Sequence, residues 1–373
     1  GLPRIRINEF IAANLSGLKD ENNEFEDWIE IHNYGGTAVN LAGWALTDDR
    51  DDPGRWTFPA TNLAAGQYLV VFASSKDRRV PGARLHTNFK LNGYGEYLAL
   101  YNAESPREAV SELAPRFPEQ RNDYSYGLDS AHNWKYFKTP TPGAANGTST
   151  IPGLAPPPHF NVARGLFDAP FQLILNTRLP GTSIRYTTDG SEPSETNGLV
   201  YAGALTISNT TVFRAAAFGA NLLPSATVTH SYVFLDQVLR QPNNPPGFPA
   251  GSTVFSGYPS DYEMDPEIVT NPDDGPMLKT ALKALPTVSI VMKTDDLFGA
   301  SNGIYTHPEP AANQRHLWER PCSVEMVLTN GQTGFQIDCG IRIQGNASRS
   351  PLKTPKHPFR LMFKGDYGPG RLD

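Results

Sequence analysis

The sequence predicts an all-β chain: two β-sandwich domains in series, then a partial, mostly-β region with one or two short helices. Three observations carry this. The 373 residues include 33 Gly and 33 Pro, so about 18% of the chain is turn-forming against roughly 12% in average usage. The 19 Phe, 15 Tyr and 5 Trp give enough apolar surface to bury, which excludes intrinsic disorder. Short apolar runs of period two also recur between turn clusters, and proline this frequent excludes a coiled coil.

Residues 1–147 form the first domain. In "DWIEIHN" Trp28 is opposite in parity to Ile29 and Ile31, and "GQYLVVFAS" and "GEYLALYN" are strands opened by glycine. Turn signals fall at Gly35-Gly36, Asp52-Pro53-Gly54, Ala65-Gly66 and Asn92-Gly93. Strands and turns at this spacing predict an immunoglobulin-type sandwich. Residues 148–158 are a linker, with Pro156, Pro157 and Pro158 favouring an extended spacer.

Residues 159–236 form a second small β unit. "TSIRYTTDGSEPS" alternates Ile184, Tyr186 and Thr188 against Ser183, Arg185 and Thr187, then turns at Asp189-Gly190. "TTVFRAAAFG" and "THSYVFL" complete it. Residues 237–286 are a second linker containing a short helix. Leu278, Ala281, Leu282 and Leu285 recur at helical spacing until Pro286, and Asp265-Pro266 marks an N-cap with proline at N1.

Residues 287–373 open a third region. "CSVEMVLTNGQTGFQIDCGIRI" is a hairpin around Asn330-Gly331, a type I′ turn signal. Counting outward pairs Leu328 with Thr333, Met326 with Phe335, Val324 with Ile337 and Cys322 with Cys339. By that count the two cysteines are a non-hydrogen-bonded pair on the buried face, with Cα atoms about 4.5 Å apart. Either a disulfide or two reduced thiols packed as small hydrophobes fits this spacing.

The formal net charge is −6, and no segment is strongly basic, so nucleic acid is not expected as a partner. No run of 18 apolar residues is present, hence no transmembrane segment is expected. No signal peptide is expected within this sequence, and Gly1 is compatible with a mature N-terminus. The eight His are scattered without ligand spacing, which excludes a zinc motif. Sequons at Asn14, Asn146, Asn209 and Asn346 are assigned no function.

The residues also resemble known families. "INEFIAANLSGLKDENNEFEDWIEIHN", "NLAGWALTDD", "KLNGYGEYLALYN" and "PTPGAANG" resemble the bacterial lamin-tail domain from Ile7 to about Gly147. This implies an immunoglobulin-like sandwich without catalytic residues, an accessory module of large exported proteins. "YTTDGSEPS", Tyr201 and "TVFRAAAF" resemble the C-terminal module of the chitobiase and β-hexosaminidase family. It too is a small immunoglobulin- or fibronectin-like sandwich, and it lies outside the catalytic barrel of those enzymes. "DYEMDPEIV", "DLFGASNGIY", "WERPCSVEM", "GFQIDCGIRIQGNASR" and "PKHPFRLMFKGDYGPGRL" resemble the opening of the CotH kinase domain. The family's domain is several times longer, and the resemblance puts its metal-binding and catalytic acids beyond Asp373.

Candidate chemistry follows. A kinase must cradle phosphates and hold Mg2+ on carboxylates. In CotH-like proteins a lysine in a "PKxSF" setting follows an "RGxxS" turn. By that match Lys356 is the first candidate for a phosphate contact and Arg349 the second, with Gly345 and Ser348 allowing close backbone approach. Pro358 stands where serine is usual. No catalytic residue is assigned in this chain, and ATP with Mg2+ is implied only for a complete kinase domain. Loop carboxylates Asp20, Glu21, Glu24, Asp48, Asp49, Asp51 and Asp52 are candidate Ca2+ ligands in the first domain; no cofactor is required.

Three functions are expected from these features. The first is a non-catalytic scaffold of an exported, extracellular or cell-surface bacterial protein, carrying the start of a CotH-like domain. Its partners are other domains of the same protein, surface proteins or glycans. The second is part of an ATP-dependent kinase acting on exported proteins. The third is carbohydrate or cell-envelope adhesion through Trp44, Trp56 and Trp134, although the core of a sandwich has the stronger claim on them.

Overall fold

The computed structural model describes residues 4–251, 258–329, 334–354 and 356–369. The chain is mostly β-sheet with a few short helices and divides into two compact units, Gly1–Gly153 and Leu154–Asp373.

Among the described residues the first unit pairs a seven-stranded sheet with a four-stranded one. The larger runs Thr150–Ile151, Trp134–Phe137, Ser125–Leu128, Ile5–Ile11, Asp27–Asn33, Tyr68–Ala73 and Leu85–His86. Every neighbouring pair is antiparallel except the last. The smaller runs Ala109–Leu113, Leu98–Tyr101, Ala45–Thr47 and Trp56–Thr57. Ile5, Ile7, Phe10, Ile29, Ile31 and Val71 from the first sheet meet Leu46, Trp56, Leu98, Leu100 and Leu113 from the second in one core. The parity read from "DWIEIHN" holds. Trp28 lies outside that core, in a smaller cluster with Ile11 and Phe72.

The first strand contains a register shift between Ile7 and Glu9. One extra residue there reverses the alternation, so Phe10 joins Ile5 and Ile7 in the core and Glu9 turns to the other face. Thr150–Ile151, read as linker, is instead an edge strand paired to Trp134–Phe137. Ala155 N–H donates to Leu223 O in the second unit. Segments this short carry no periodicity, so their pairing is invisible in sequence.

The second unit contains a five-stranded sheet in the order Gly165–Phe167, Val228–Phe234, Thr211–Gly219, Thr182–Thr187 and Leu199–Val200. Two short ladders, Phe171–Leu173 with Leu205–Ile207 and His159–Phe160 with Leu175–Asn176, close it over Leu173, Ile184, Tyr186, Phe213 and Tyr232. Short helices follow. Pro266–Val269 is capped by Asp265, whose Oδ1 accepts from Glu267 N–H at 2.9 Å. Leu278–Lys283 forms where the spacing placed it but buries none of its residues, and Leu285 is left 67% exposed.

A four-stranded antiparallel sheet ends the described chain: Thr287–Val291, Arg320–Val327, Gln336–Ile343 and Phe359–Met362. One face carries Cys322, Val324, Ile337, Cys339 and Ile341 packed on Ile304. From the same sheet, Glu325 reaches the preceding sandwich and is fully buried there. Ser231 N–H donates to Glu325 Oε1 at 3.2 Å, the Ser231 hydroxyl donates to Oε2, and Arg164 Nε lies 3.2 Å from Oε1. The Ser231 and Ser289 hydroxyls are 2.7 Å apart, and Arg214 lies between Glu192 at 2.5 Å and Asp338 at 3.7 Å. The last two sequence segments therefore pack as one unit.

Candidate functional site

The densest polar constellation lies in the first unit, where the acidic loop before Asp27 folds against the turn after Ala73. Asp20 makes an Asx turn, its Oδ1 accepting from Asn22 N–H at 2.8 Å and Glu24 N–H at 3.0 Å. The ammonium of Lys76 then sits among Asp20, Glu24 at 2.5 Å and Glu26 at 3.2 Å. Lys90 adds a contact to Glu26 at 3.1 Å. Beside this cage Glu21 meets Arg78 and His86, the latter at 3.0 Å, and His86 Nδ1 is 2.8 Å from the Ser74 hydroxyl. Desolvation opposes ionisation of Glu21, but its backbone N–H, His86 and Arg78 outweigh it and hold its carboxyl down to about 2. Asp20 is likewise lowered against desolvation by Lys76 and the two backbone donors, and Lys76 is raised by the three carboxylates against the same penalty.

Asp20, Glu21 and Glu24 are thus brought together, as the calcium reading requires. Among the described residues, the groups able to converge on one ion are Asp20, Glu21, His86 and Asp20, Glu24, Glu26. Lys76 already occupies the second of these with its own positive charge. Asp48, Asp49, Asp51 and Asp52 do not converge. Asp48 is 3.0 Å and Asp49 3.8 Å from Arg55, while Asp51 and Asp52 are exposed.

A second constellation was not anticipated. Glu9 and Glu30 are fully buried on the outer face of the large sheet, covered by the "PTPGAANG" segment. Glu9 accepts from the Ser125 hydroxyl at 2.5 Å and from Thr141 N–H and hydroxyl at 3.0 and 2.9 Å. Glu30 accepts from Asn8 Nδ2 at 2.9 Å and Gly143 N–H at 2.5 Å. Asn146 completes the clasp through Asn8 O at 3.1 Å and Leu128 O at 2.8 Å. Desolvation raises both carboxyls, Glu30 to about 7. The only sequence signal was an acid at an interior strand position, which period-two alternation assigns to solvent.

The Gly345 turn is tightly built. Gly345 has φ +102°, and a Cβ there would lie 2.0 Å from the Ser348 hydroxyl oxygen. Arg349 is buried, and its guanidinium donates to Gly345 O at 2.8 Å, Pro308 O at 3.0 Å and Ile343 O. Its donors therefore hold the loop, in contrast to the phosphate contact expected of it. Lys356 is exposed beside buried His357, which donates its backbone N–H to the Tyr305 hydroxyl at 3.1 Å.

The cysteines face each other as counted, Cys322 with Cys339 and Val324 with Ile337. The Asn330-Gly331 turn and Thr333 lie outside the described residues. The geometry is that of the reduced alternative, and one expectation is overturned. The Sγ atoms are 3.6 Å apart and both residues are free thiols, where a disulfide would need about 2.05 Å. The hydrogen-bond phase is reversed. Met326 N–H donates to Phe335 O at 2.9 Å, and on the far side Gln344 N–H donates to Pro358 O at 2.8 Å. Odd-numbered residues of Gln336–Ile343 therefore direct their backbone groups toward Arg320–Val327, which makes Cys322 and Cys339 a hydrogen-bonded pair.

Trp44 and Trp56 are buried in the sandwich core and Trp134 is partly buried against it. Other aromatic groups also reach the surface. His32 stacks on Tyr68 with centroids 4.2 Å apart, and Arg6 lies 4.8 Å over the ring of Tyr34, which is 45% exposed.

These features define a class first: immunoglobulin-like β-sandwich architecture organised as modules. The comparisons then give the modules their families. Residues 2–114 match the family model of the Lamin Tail Domain, and residues 173–232 match the model described as Fn3 associated. The first confirms the family read from "INEFIAAN" onward. In the segment carrying "YTTDGSEPS", the matched family is Fn3 associated. A curated relative, the AA9 family lytic polysaccharide monooxygenase AA9-X282 of Coprinopsis cinerea, is 25% identical over 163 residues. That match covers 39% of this chain and 47% of the relative, so the chain spans about half the length of the curated relative it matches. A lamin tail domain followed by an Fn3-associated domain makes a modular, non-catalytic binding region.

Proposed function

We propose that the chain is the scaffolding part of an exported bacterial surface protein, whose sandwiches present the opening of a CotH-like domain. The observation that carries this reading is the burial of Glu325. A fully buried carboxylate paired with Arg164 and Ser231 docks the last sheet on the Fn3-associated sandwich. A flexible tether would leave such a group in water. The test is hydrogen exchange on the full chain with Glu325→Ala. Joint loss of protection in Val228–Phe234 and Thr287–Val291 is expected; loss confined to the final sheet would show that the sandwich does not support it. Mg2+-dependent phosphate transfer from ATP by this chain would overturn the non-catalytic part of the reading.

A second reading, carbohydrate binding, is favoured by the surface group of Arg6, His32, Tyr34 and Tyr68. Its rings and guanidinium are the kinds of group that stack on apolar ligand faces. The matched monooxygenase bears a polysaccharide in its name. A glycan array on wild type and Tyr34→Ala checks it: binding lost in the variant supports this reading, and no binding by the wild type removes it.

A further inference from the structure

Cys322 and Cys339 are 3% and 0% exposed, directly opposed on neighbouring strands, with their sulfurs 3.6 Å apart. Both lie in one buried cluster with Val324, Ile337, Ile341 and Ile304, which keeps the two sulfurs side by side. We propose that the two thiols are a reversible redox pair, closing to an intrachain disulfide by exchange with a small-molecule disulfide such as oxidised glutathione.

The step balances in two displacements. Because both thiols are buried, exchange runs through local opening of the sheet: one cysteine, as thiolate, attacks a sulfur of the small disulfide and forms a mixed disulfide, releasing one small thiolate that takes up the proton. The second cysteine, as thiolate, attacks the protein-bound sulfur and expels the other half as a thiol. Two protein thiols are oxidised and one small disulfide is reduced to two thiols. The first thiolate is favoured by the pair itself: the hydrogen bond from Cys322 lowers Cys339, and the same bond, with burial, raises Cys322.

The hydrogen-bonded register makes the bridge labile. Opposed Cα atoms in such a pair are about 5.5 Å apart, within the range a disulfide accepts, but the Cβ atoms of facing residues are about 4.5–5.5 Å apart. A disulfide draws them to about 3.8 Å. Closure therefore pulls the two strands together, and a strained bridge is easily reduced.

The test equilibrates the full chain with graded mixtures of oxidised and reduced glutathione, starting from each side, followed by acid quench, alkylation and intact mass. Expected is the joint loss of both alkylatable thiols, a mass lower by two hydrogens before alkylation, monomers on a non-reducing gel, and reopening in excess reduced glutathione. Cys322→Ser should carry a single glutathione on Cys339, and Cys322→Val answers the same question if serine prevents folding. Two thiols persisting at every ratio, independent glutathione adducts on both, disulfide-linked dimers, or a bridge that excess reduced glutathione cannot open would each overturn the proposal.

Discussion

At the scale of single residues, charge placement decides. Lys76 pairs with three carboxylates, and Asp20 among them is 5% exposed. Lys76→Ala leaves that carboxylate unpaired, so a loss of about 1–3 kcal/mol is expected. Millimolar Ca2+ should raise the melting temperature of this variant and leave the wild type unchanged; equal responses would show that lysine and ion do not compete. Glu30 gives a pH dependence. Its folded pKa is about 7 against an ordinary 4.5, raised chiefly by desolvation. The folded chain keeps a proton that the unfolded chain has released. This contribution is therefore full below about 4.5 and is lost as pH rises through about 7, on the order of 3 kcal/mol. Glu30→Gln should flatten the fall in thermal stability between those values. Identical slopes would mean that Glu30 is not the titrating group.

At the scale of elements, much was readable in advance. The parity of "DWIEIHN", the Asp265 cap, the helix at Leu278–Lys283 and the facing of Cys322 with Cys339 all followed from local pattern. The register shift before Glu9 did not, because an extra residue in a strand leaves no mark on composition. The hydrogen-bond phase of the cysteine pair was likewise outside reach, since it depends on the turn actually adopted. One close approach explains a glycine. A Cβ on Gly127 would meet Asn146 Nδ2 at 2.7 Å and Asn8 O at 2.9 Å. Gly127→Ala should cost about 1–3 kcal/mol, with Asn146 and the clasp displaced. Chemical denaturation measures this, and an unchanged midpoint would show that the clasp yields freely.

At the scale of the whole molecule, partners distant in sequence were the hardest to foresee. Lys76 lies fifty or more residues from the carboxylates it serves, and Arg164 and Glu325 belong to segments read as separate domains. Local periodicity carries no information on such pairings, so the loops were legible as acidic but not as paired with lysine and arginine. Removing one partner of a buried pair typically costs about 3–5 kcal/mol. Glu325→Ala should therefore lower the stability of the second unit by that order, measured by urea unfolding. A loss below about 1 kcal/mol would mark the pair as peripheral to docking.

The clasp on Glu9 and Glu30 has a mechanical consequence. It ties the segment that leaves the first unit to the strand that enters it, through Thr141 on Glu9 and Asn146 on Asn8. The entering strand also lies beside Ser125–Leu128. Tension applied to the two ends of this module would therefore load the clasp and the antiparallel pairing of Ile5–Ile11 with Ser125–Leu128 first, and the four-stranded sheet lies off that path.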